Sequence, residues 1–161
     1  MSSLASSHRA HADDLVTAVL TASRVLVAVA AASLAGTEGT VTLAQFRMLV
    51  MLDSHDETNL TGLAESLGVN SSTALRMVDR LVAAGLVTRH DNTRNRREVV
   101  IALSQPGAEL VWRVTDRRRA EIARIVRQMP TDQRSALVTA LNAFADAAGE
   151  PHATGTAGFG W

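Results

Sequence analysis

Apolar residues recur three and four positions apart between about Ala10 and Leu34, which is the spacing of a helix. They form two stripes on adjacent helical faces. One stripe contains Leu15, Val19, Ala22, Leu26 and Val29, and the other contains Val16, Leu20, Val27, Ala30 and Leu34. An apolar surface of this width predicts a helix with more than one packing partner.

A second helix is predicted to begin after Thr42 and to run to about Leu52. Thr42 and Gln45 have the spacing of a capping box, in which each side chain bonds to the other residue's backbone N–H. Val41 and Phe46 are placed to pack against each other across this start.

Two further short helices are predicted around a glycine turn. Thr61 is the expected N-cap of the first, and Gly68 is expected to end it in a left-handed conformation. Asn70 is the expected N-cap of the next helix, which Gly85 would stop. The predicted inward residues of this helix are Ala74, Val78 and Leu81.

Two β-prone runs, Leu86–His90 and Val99–Leu103, flank a polar turn rich in arginine, which predicts a hairpin. The alternation of Val99, Ile101 and Leu103 predicts that one face of the second strand is buried.

The remaining sequence predicts two more helices. Ser104 would cap a helix from about Gln105 to Met129, and Thr131 would cap a last helix after the break at Pro130. An apolar stripe on the last helix contains Leu137, Leu141 and Phe144, and residues 150–161 form a glycine-rich tail that is predicted to be disordered.

This order of elements predicts a mainly α fold with a small β-hairpin wing, α1-α2-α3-α4-β-β-α5-α6. Residues 39–103 would form a winged helix-turn-helix lobe, and residues 1–38 with 104–149 a helical lobe. Because the small central lobe cannot cover the apolar faces of the terminal helices, we expect a second subunit to complete the helical lobe.

The formal net charge of the chain is zero, but its charges are unevenly distributed. The segment from Arg76 to Arg97 contains six arginines and only two acids, Asp79 and Asp91. This local excess of positive charge indicates a polyanionic partner, and the helix pair with its hairpin indicates double-stranded DNA.

The composition excludes or disfavours several other classes. The chain has no cysteine, which excludes disulfides and thiolate metal sites. No catalytic triad, phosphate-binding loop or paired carboxylate stands out, so we expect neither an enzyme nor a cofactor. His8, His11 and His55 lack a complete ligand set, so we expect no metal site.

The longest uninterrupted apolar run, Val25 to Ala35, has 11 residues including Ser33. This length is too short to span a bilayer, and the run lacks the basic start of a signal peptide. We therefore expect a cytoplasmic protein with no membrane partner.

Over roughly Leu15 to Ala148 the sequence resembles the MarR family of bacterial transcriptional regulators, most specifically between Leu60 and Gly107. The matching segments are Leu63–Val69, Ser72–Thr73, Arg76–Leu81, Gly85–Arg89, Leu103–Ser104 and Gly107.

The resemblance implies a homodimer that binds a pseudo-palindromic operator, most often as a repressor. Many members release DNA when a small aromatic or phenolic ligand binds between the two lobes. A regulator without a small ligand, and a helical dimeric protein-interaction module without specific DNA binding, are the alternatives.

The DNA-reading residues follow from the geometry of a helix in the major groove, whose first turn faces the bases. Arg76 can contact a guanine bidentately, or a phosphate, and Arg80 suits a phosphate or a surface ion pair equally well. Thr61 and Arg89 are the other expected backbone contacts. The expected major-groove residues are Asn70, Ser71, Ser72, Thr73, Leu75 and Arg76, of which Ser71, Ser72 and Thr73 would be read as helix caps if considered alone.

The wing contacts are expected from Arg94, Asn95, Arg96 and Arg97, directed at a narrow A·T-rich minor groove. The family commonly has an aspartate where this chain has Asn95. Asparagine can bond to the guanidinium of Arg97 but lacks the charge that orients it, so Arg94 and Arg96 are expected to share its role.

An effector site is expected from residues that, by the resemblance, border the ligand cleft. These are Phe46, Met51 and Trp112, with Arg24 or Arg47 available to neutralise an acidic ligand, although core packing is the commoner role for such side chains. The Arg117–Arg119 run is expected to be solvated or to lie along DNA phosphates.

Overall fold

A computed structural model describes residues 2–37, 41–54, 58–91 and 99–149, with side chains from residue 12 onward. The elements follow the predicted order, with six helices and one two-stranded antiparallel sheet in these ranges. They are α1 (Ser2–Ala35), α2 (Leu43–Ser54), α3 (Leu60–Leu67), α4 (Ser71–Ala83), β1 (Val87–Asp91), β2 (Val99–Leu103), α5 (Gln105–Gln128) and α6 (Thr131–Ala148).

The central core is formed by α2, α3, α4, the hairpin and the first half of α5. The cluster contains Val41, Phe46, Met48, Leu49, Val50, Leu52, Leu63, Ala64, Ala74, Val78, Leu81, Leu86, Val87, Ile101, Leu110, Val111 and Val114. Most of these side chains come from residues 41–101, so this part of the chain buries its apolar residues among themselves.

The start of α2 has the predicted capping box. The Thr42 N–H donates to Gln45 Oε1 at 2.8 Å, and the Gln45 N–H donates to Thr42 Oγ1 at 3.3 Å. Val41 and Phe46 are both buried in the core. The two bonds satisfy N–H groups that the first helical turn leaves without a partner.

Two predicted caps are wrong. Asn59, not Thr61, caps α3, because its Oδ1 accepts from the Gly62 N–H at 2.9 Å, and Thr61 lies in the first turn. Thr131 is the first residue of α6, with Pro130 at the N-cap position and no side-chain cap bond. The Arg134 guanidinium instead donates to the Met129 and Arg127 carbonyls, each at 2.9 Å, and so satisfies the end of α5.

The hairpin pairs Val87 with Leu103 and Asp91 with Val99. The predicted alternation on β2 is wrong, because Val99 is exposed whereas Val100 and Ile101 are both buried. A strand covered on both faces does not keep a period of two. Just before α3, Thr58 also forms an isolated bridge with β2, in which the Ile101 N–H donates to the Thr58 carbonyl at 2.8 Å.

The terminal helices are packed differently from the core. The C-terminal part of α1 packs on α5, and Val29, Ala30 and Ser33 of α1 are buried there. Further along α1 toward the N-terminus, Leu15, Val16 and Leu20 are exposed. In the described part of the chain, α6 contributes no buried residue.

The expectation that no segment is long enough for a bilayer is wrong by length and composition. The stretch Ala12–Ala35 has 24 residues, and its most apolar 18-residue window has a mean hydropathy of 2.0 and is 11% buried. The 11-residue run counted only an uninterrupted apolar segment, whereas the longer helix includes a few polar residues and is still strongly apolar on average. One such helix near the N-terminus is weak evidence for a membrane span, because signal sequences and helices of soluble proteins pass the same test.

Candidate nucleic-acid interface

The turn between α3 and α4 is set by Gly68, which has a φ of 65°. In this left-handed conformation the Val69 N–H reaches the Ala64 carbonyl at 3.0 Å, as a helix-ending motif requires. Val69 then packs against the core. Gly68 therefore fixes the direction in which the chain enters α4.

The rotation of α4 about its axis is fixed by its buried stripe. Ala74, Val78 and Leu81 are at most 1% exposed, as predicted. Because successive residues are about 100° apart, this stripe turns Ser72, Arg76 and other polar side chains away from the core. After the helix, Gly85 has a φ of 72° and leads directly into the hairpin.

The first turn of α4 is organised by Asn70, which caps the helix as predicted. Its Oδ1 accepts from the Thr73 N–H and from the Ser72 hydroxyl, each at 2.8 Å. Arg76 Nη2 lies 3.4 Å from Thr73 Oγ1, and Leu75 remains 42% exposed. The arginine is thus tethered over the N-terminal turn, where it can approach a base edge or a phosphate.

An ion pair connects α4 to β1. Arg89 Nη2 lies 2.6 Å from Asp79 Oδ1, and both side chains are partly exposed. No local pattern predicts this pair, because the two residues are ten positions apart and become neighbours only when the hairpin folds back. Thr61, Arg80 and Arg89 are all exposed, and their contacts with DNA remain predictions.

The wing residues Arg94, Asn95, Arg96 and Arg97 lie outside the described residues. The strands on either side of this segment are described, and they extend from the end of α4 toward it. The expected minor-groove contacts therefore remain predictions, as does the effect of Asn95 on Arg97.

The residues expected to bind an effector lie in different surroundings. Phe46 is buried in the core, Arg24 and Arg47 are exposed, and Trp112 is 69% exposed. Met51 borders a small cavity of about 60 Å³ next to Thr58.

A larger cavity of about 360 Å³ lies between the end of α1, the end of α4 and the first half of α5. Its lining residues are Gly36, Thr37, Ala84, Leu86, Pro106, Glu109, Leu110, Arg113, Val114 and Arg117. Arg117 lies so close to Gly36 that a Cβ at position 36 would overlap its guanidinium. This cavity combines apolar walls with two arginines, and the sequence did not indicate it.

In the Arg117–Arg119 run, Arg117 and Arg119 are exposed, as expected, and Arg118 is less so. Arg117 packs over Gly36 at the end of α1. Arg118 is half-buried, and desolvation lowers the pKa of its guanidinium.

In the described ranges no group of three or more histidine and acidic side chains could hold a metal ion. His8, His11 and His55 fall outside the side chains described.

Comparisons with known proteins agree with this architecture. Residues 41–99 match the model of the MarR family. In the crystal structure of RV1404 from Mycobacterium tuberculosis, the chain has 49% sequence identity to this protein. The match covers 88% of this chain and 97% of that chain, and the two superpose with a TM-score of 0.81. A MarR family protein from Bacillus stearothermophilus is 20% identical, with a TM-score of 0.76 over 85% of this chain and 94% of that chain, and supports the fold.

Among curated relatives, the HTH-type transcriptional repressor MdtR of Bacillus subtilis is 33% identical over 84 residues, which is 52% of this chain and 54% of that protein. The chain matches between 46% and 64% of the length of four such relatives, all described as transcriptional regulators. The family model, the relatives over the helix-turn-helix and the near-complete match to RV1404 together show that the chain belongs to the MarR family.

Proposed function

We propose that this protein is a sequence-specific, double-stranded DNA-binding transcriptional regulator that acts as a homodimer. The observation that carries the proposal is the first half of α4. Because the stripe of Ala74, Val78 and Leu81 is buried, Ser71, Ser72 and Arg76 face outward near the N-terminus of the helix. In a helix-turn-helix this is the end that contacts base edges in the major groove. Asn70 is engaged in the helix cap, so it positions this turn.

In the proposed complex, contacts divide by chemistry. Arg76 bonds to a guanine edge, and the side chains of Thr61, Arg80 and Arg89 contact phosphates. The wing arginines Arg94, Arg96 and Arg97 enter the adjacent minor groove. Phosphate contacts provide affinity for any sequence, whereas Arg76 provides discrimination.

Dimerisation is proposed through the helical lobe, residues 1–38 and 104–149. Large apolar side chains of α1 and α6 are exposed in the single chain, including Leu20, Leu26, Leu141 and Phe144. Covering them with the same surface of a second copy gives two-fold symmetry, which suits a pseudo-palindromic operator. We assign the apolar length of α1 to this contact and not to a membrane.

Repression, and its release by a small ligand, form a further part of the proposal. One curated relative is described as a repressor. The 360 Å³ cavity supports an effector, because Arg113 and Arg117 suit an acidic group and Leu86, Leu110 and Val114 suit an aromatic ring. Leu86 directly precedes β1, so a ligand here would contact the root of the wing.

The proposal is tested by binding of the full chain to duplexes selected from a random-sequence library, measured by fluorescence anisotropy. We expect at least one duplex to bind about 10³-fold more tightly than random DNA, with affinity falling steeply as salt rises. Absence of a specific complex at moderate salt would contradict it. If the chain bound no DNA but bound a protein partner with an affinity that did not fall as salt rose, the protein-interaction module would be favoured instead.

Arg76→Ala should cost about 1–3 kcal/mol on the selected duplex and reduce the preference over random DNA. Arg94→Ala should weaken binding to both DNAs more evenly, because a minor-groove contact distinguishes little more than A·T from G·C pairs. Arg124→Ala, in the second half of α5, is the matched control and should leave both affinities unchanged.

A further inference from the structure

The outward side of α4 carries one large apolar side chain in its first two turns. Leu75 is 42% exposed, whereas Ala74, on the adjoining position, is fully buried. The core of this helix is completed by Ala74, Val78 and Leu81, so Leu75 is not needed to hold the helix in place.

The neighbours of Leu75 along the helix are polar. Ser71 and Ser72 precede it by four and three positions, and Asp79 follows by four, which puts them next to it on the helix surface. The Ser72 hydroxyl is bonded to Asn70, and Arg76 is tethered to Thr73. Leu75 is therefore the apolar part of a surface that otherwise offers hydroxyls and charges.

In a major groove the only apolar group on a base edge is the C5-methyl group of thymine. A leucine that approaches the groove cannot bond to a phosphate or to a base-edge donor or acceptor. It gains from the contact only where it meets such a methyl group, because burial of apolar surface is then favourable.

We propose that Leu75 is a specificity-determining residue that contacts the methyl group of a thymine, beside the base pair read by Arg76. The inference rests on the proposed DNA-binding function and names one feature of the sequence that this surface selects. Each half-site of the operator then contains a thymine whose methyl group adds to affinity.

The test uses the full chain and the tightest duplex recovered from a random-sequence library. Each thymine is replaced in turn by deoxyuridine, which removes the methyl group and keeps the base pairing. We expect one replacement per half-site to raise Kd about fourfold, the value of one buried methyl group. The Leu75→Ala variant should bind the unmodified thymine duplex at least about fourfold more weakly than the wild type does. For this variant, replacing the responsive thymine by deoxyuridine should change Kd by less than about twofold.

Two variants control for folding. Val82→Ala removes another exposed apolar side chain of α4 and should keep the full response to deoxyuridine. Leu75→Met keeps an apolar side chain of similar reach and should retain the response as well. Thermal unfolding of all three variants separates a loss of contact from a loss of structure.

The inference is overturned if no thymine shows the methyl effect, or if Leu75→Ala keeps it at the same position. Both results would leave sequence-specific binding intact, so the proposed function would stand. A chain that selects no sequence over random DNA would instead overturn the proposed function and this inference together.

Discussion

Helices α4 and α6 both carry an apolar stripe, but among the described residues only the stripe of α4 is buried. In α4, Ala74, Val78 and Leu81 pack into a core made by the neighbouring elements of the same chain. In α6, Leu141 and Phe144 remain 52% and 57% exposed, and the helix buries no described residue. The DNA-reading part thus completes its core within the same chain, with the first half of α5 as one wall, whereas the stripe of α6 has no cover among the described residues.

Helix α1 contains both situations along its length. Near its C-terminal end, Val29 and Ala30 are buried, and the helix packs on α5. Nearer its N-terminus, Leu15, Val16 and Leu20 are exposed. An apolar pattern therefore identifies a face that will be buried but does not say whether the same chain or a partner covers it.

The largest effect is expected from charges placed on the α6 stripe. The double variant Leu141→Asp, Phe144→Asp removes two large apolar side chains worth about 1.5–3 kcal/mol each when buried, and it adds charges that resist desolvation. We expect the protein to become monomeric, as measured by light scattering after gel filtration. Asn142→Asp on the same helix is the control and should remain dimeric. If the wild-type protein were itself monomeric, the prediction that a second copy covers the stripe of α6 would be contradicted.

A matched pair on α4 tests the self-contained core. Leu81→Ala should lower the free energy of unfolding by about 2–5 kcal/mol, because Leu81 is buried and leaves a cavity. Leu75→Ala, on the exposed side, should lower it by less than about 0.5 kcal/mol. Urea denaturation at a fixed protein concentration measures both. Equal losses would mean that the two sides of α4 are not packed as described.

The Asp79–Arg89 pair should stabilise the attachment of the hairpin to α4. A double-mutant cycle with Asp79→Ala and Arg89→Ala is expected to give a coupling of about 0.5–1 kcal/mol in the free energy of unfolding, reduced in 1 M salt. The exposed Glu121–Arg124 pair lies within one helix and should give a smaller coupling. No coupling at low salt would show that the hairpin is held by its apolar contacts alone.

The smallest effect is expected at the end of α2, where burial raises the pKa of Asp53 above its ordinary value of 3.8. The folded chain then disfavours the carboxylate, and this cost is present above the folded pKa and disappears as the pH falls and the group protonates. Asp53→Asn should therefore raise the free energy of unfolding slightly at pH 7 and leave it unchanged at about pH 3.

Asp132 provides the control for this last prediction, because it lies in the first turn of α6, where a negative charge favours the helix. Asp132→Asn should be neutral or destabilising at pH 7. A gain from both variants would indicate a general effect of lowering negative charge and not the position of Asp53.

Local signals predicted the elements well. Asn70, the Thr42 and Gln45 pair, Gly68 and Gly85 each act within a few residues of their own position, so their chemistry can be read from the sequence. The predictions failed where two local signals competed, as at Asn59 and Thr61, or where burial on both faces removed the alternation, as at Val100.

The sequence alone determined the order of elements, the buried stripe of α4 and the cluster of arginines around the hairpin, because these depend on spacing and local chemistry. Only the tertiary structure joined Asp79 to Arg89, Thr58 to Ile101 and Arg117 to Gly36. It alone also formed the cavity between α1 and α5 and left the apolar face of α6 uncovered. These features bring distant residues together, and the cost of closing the chain between them is offset only by the whole core, which no local pattern records.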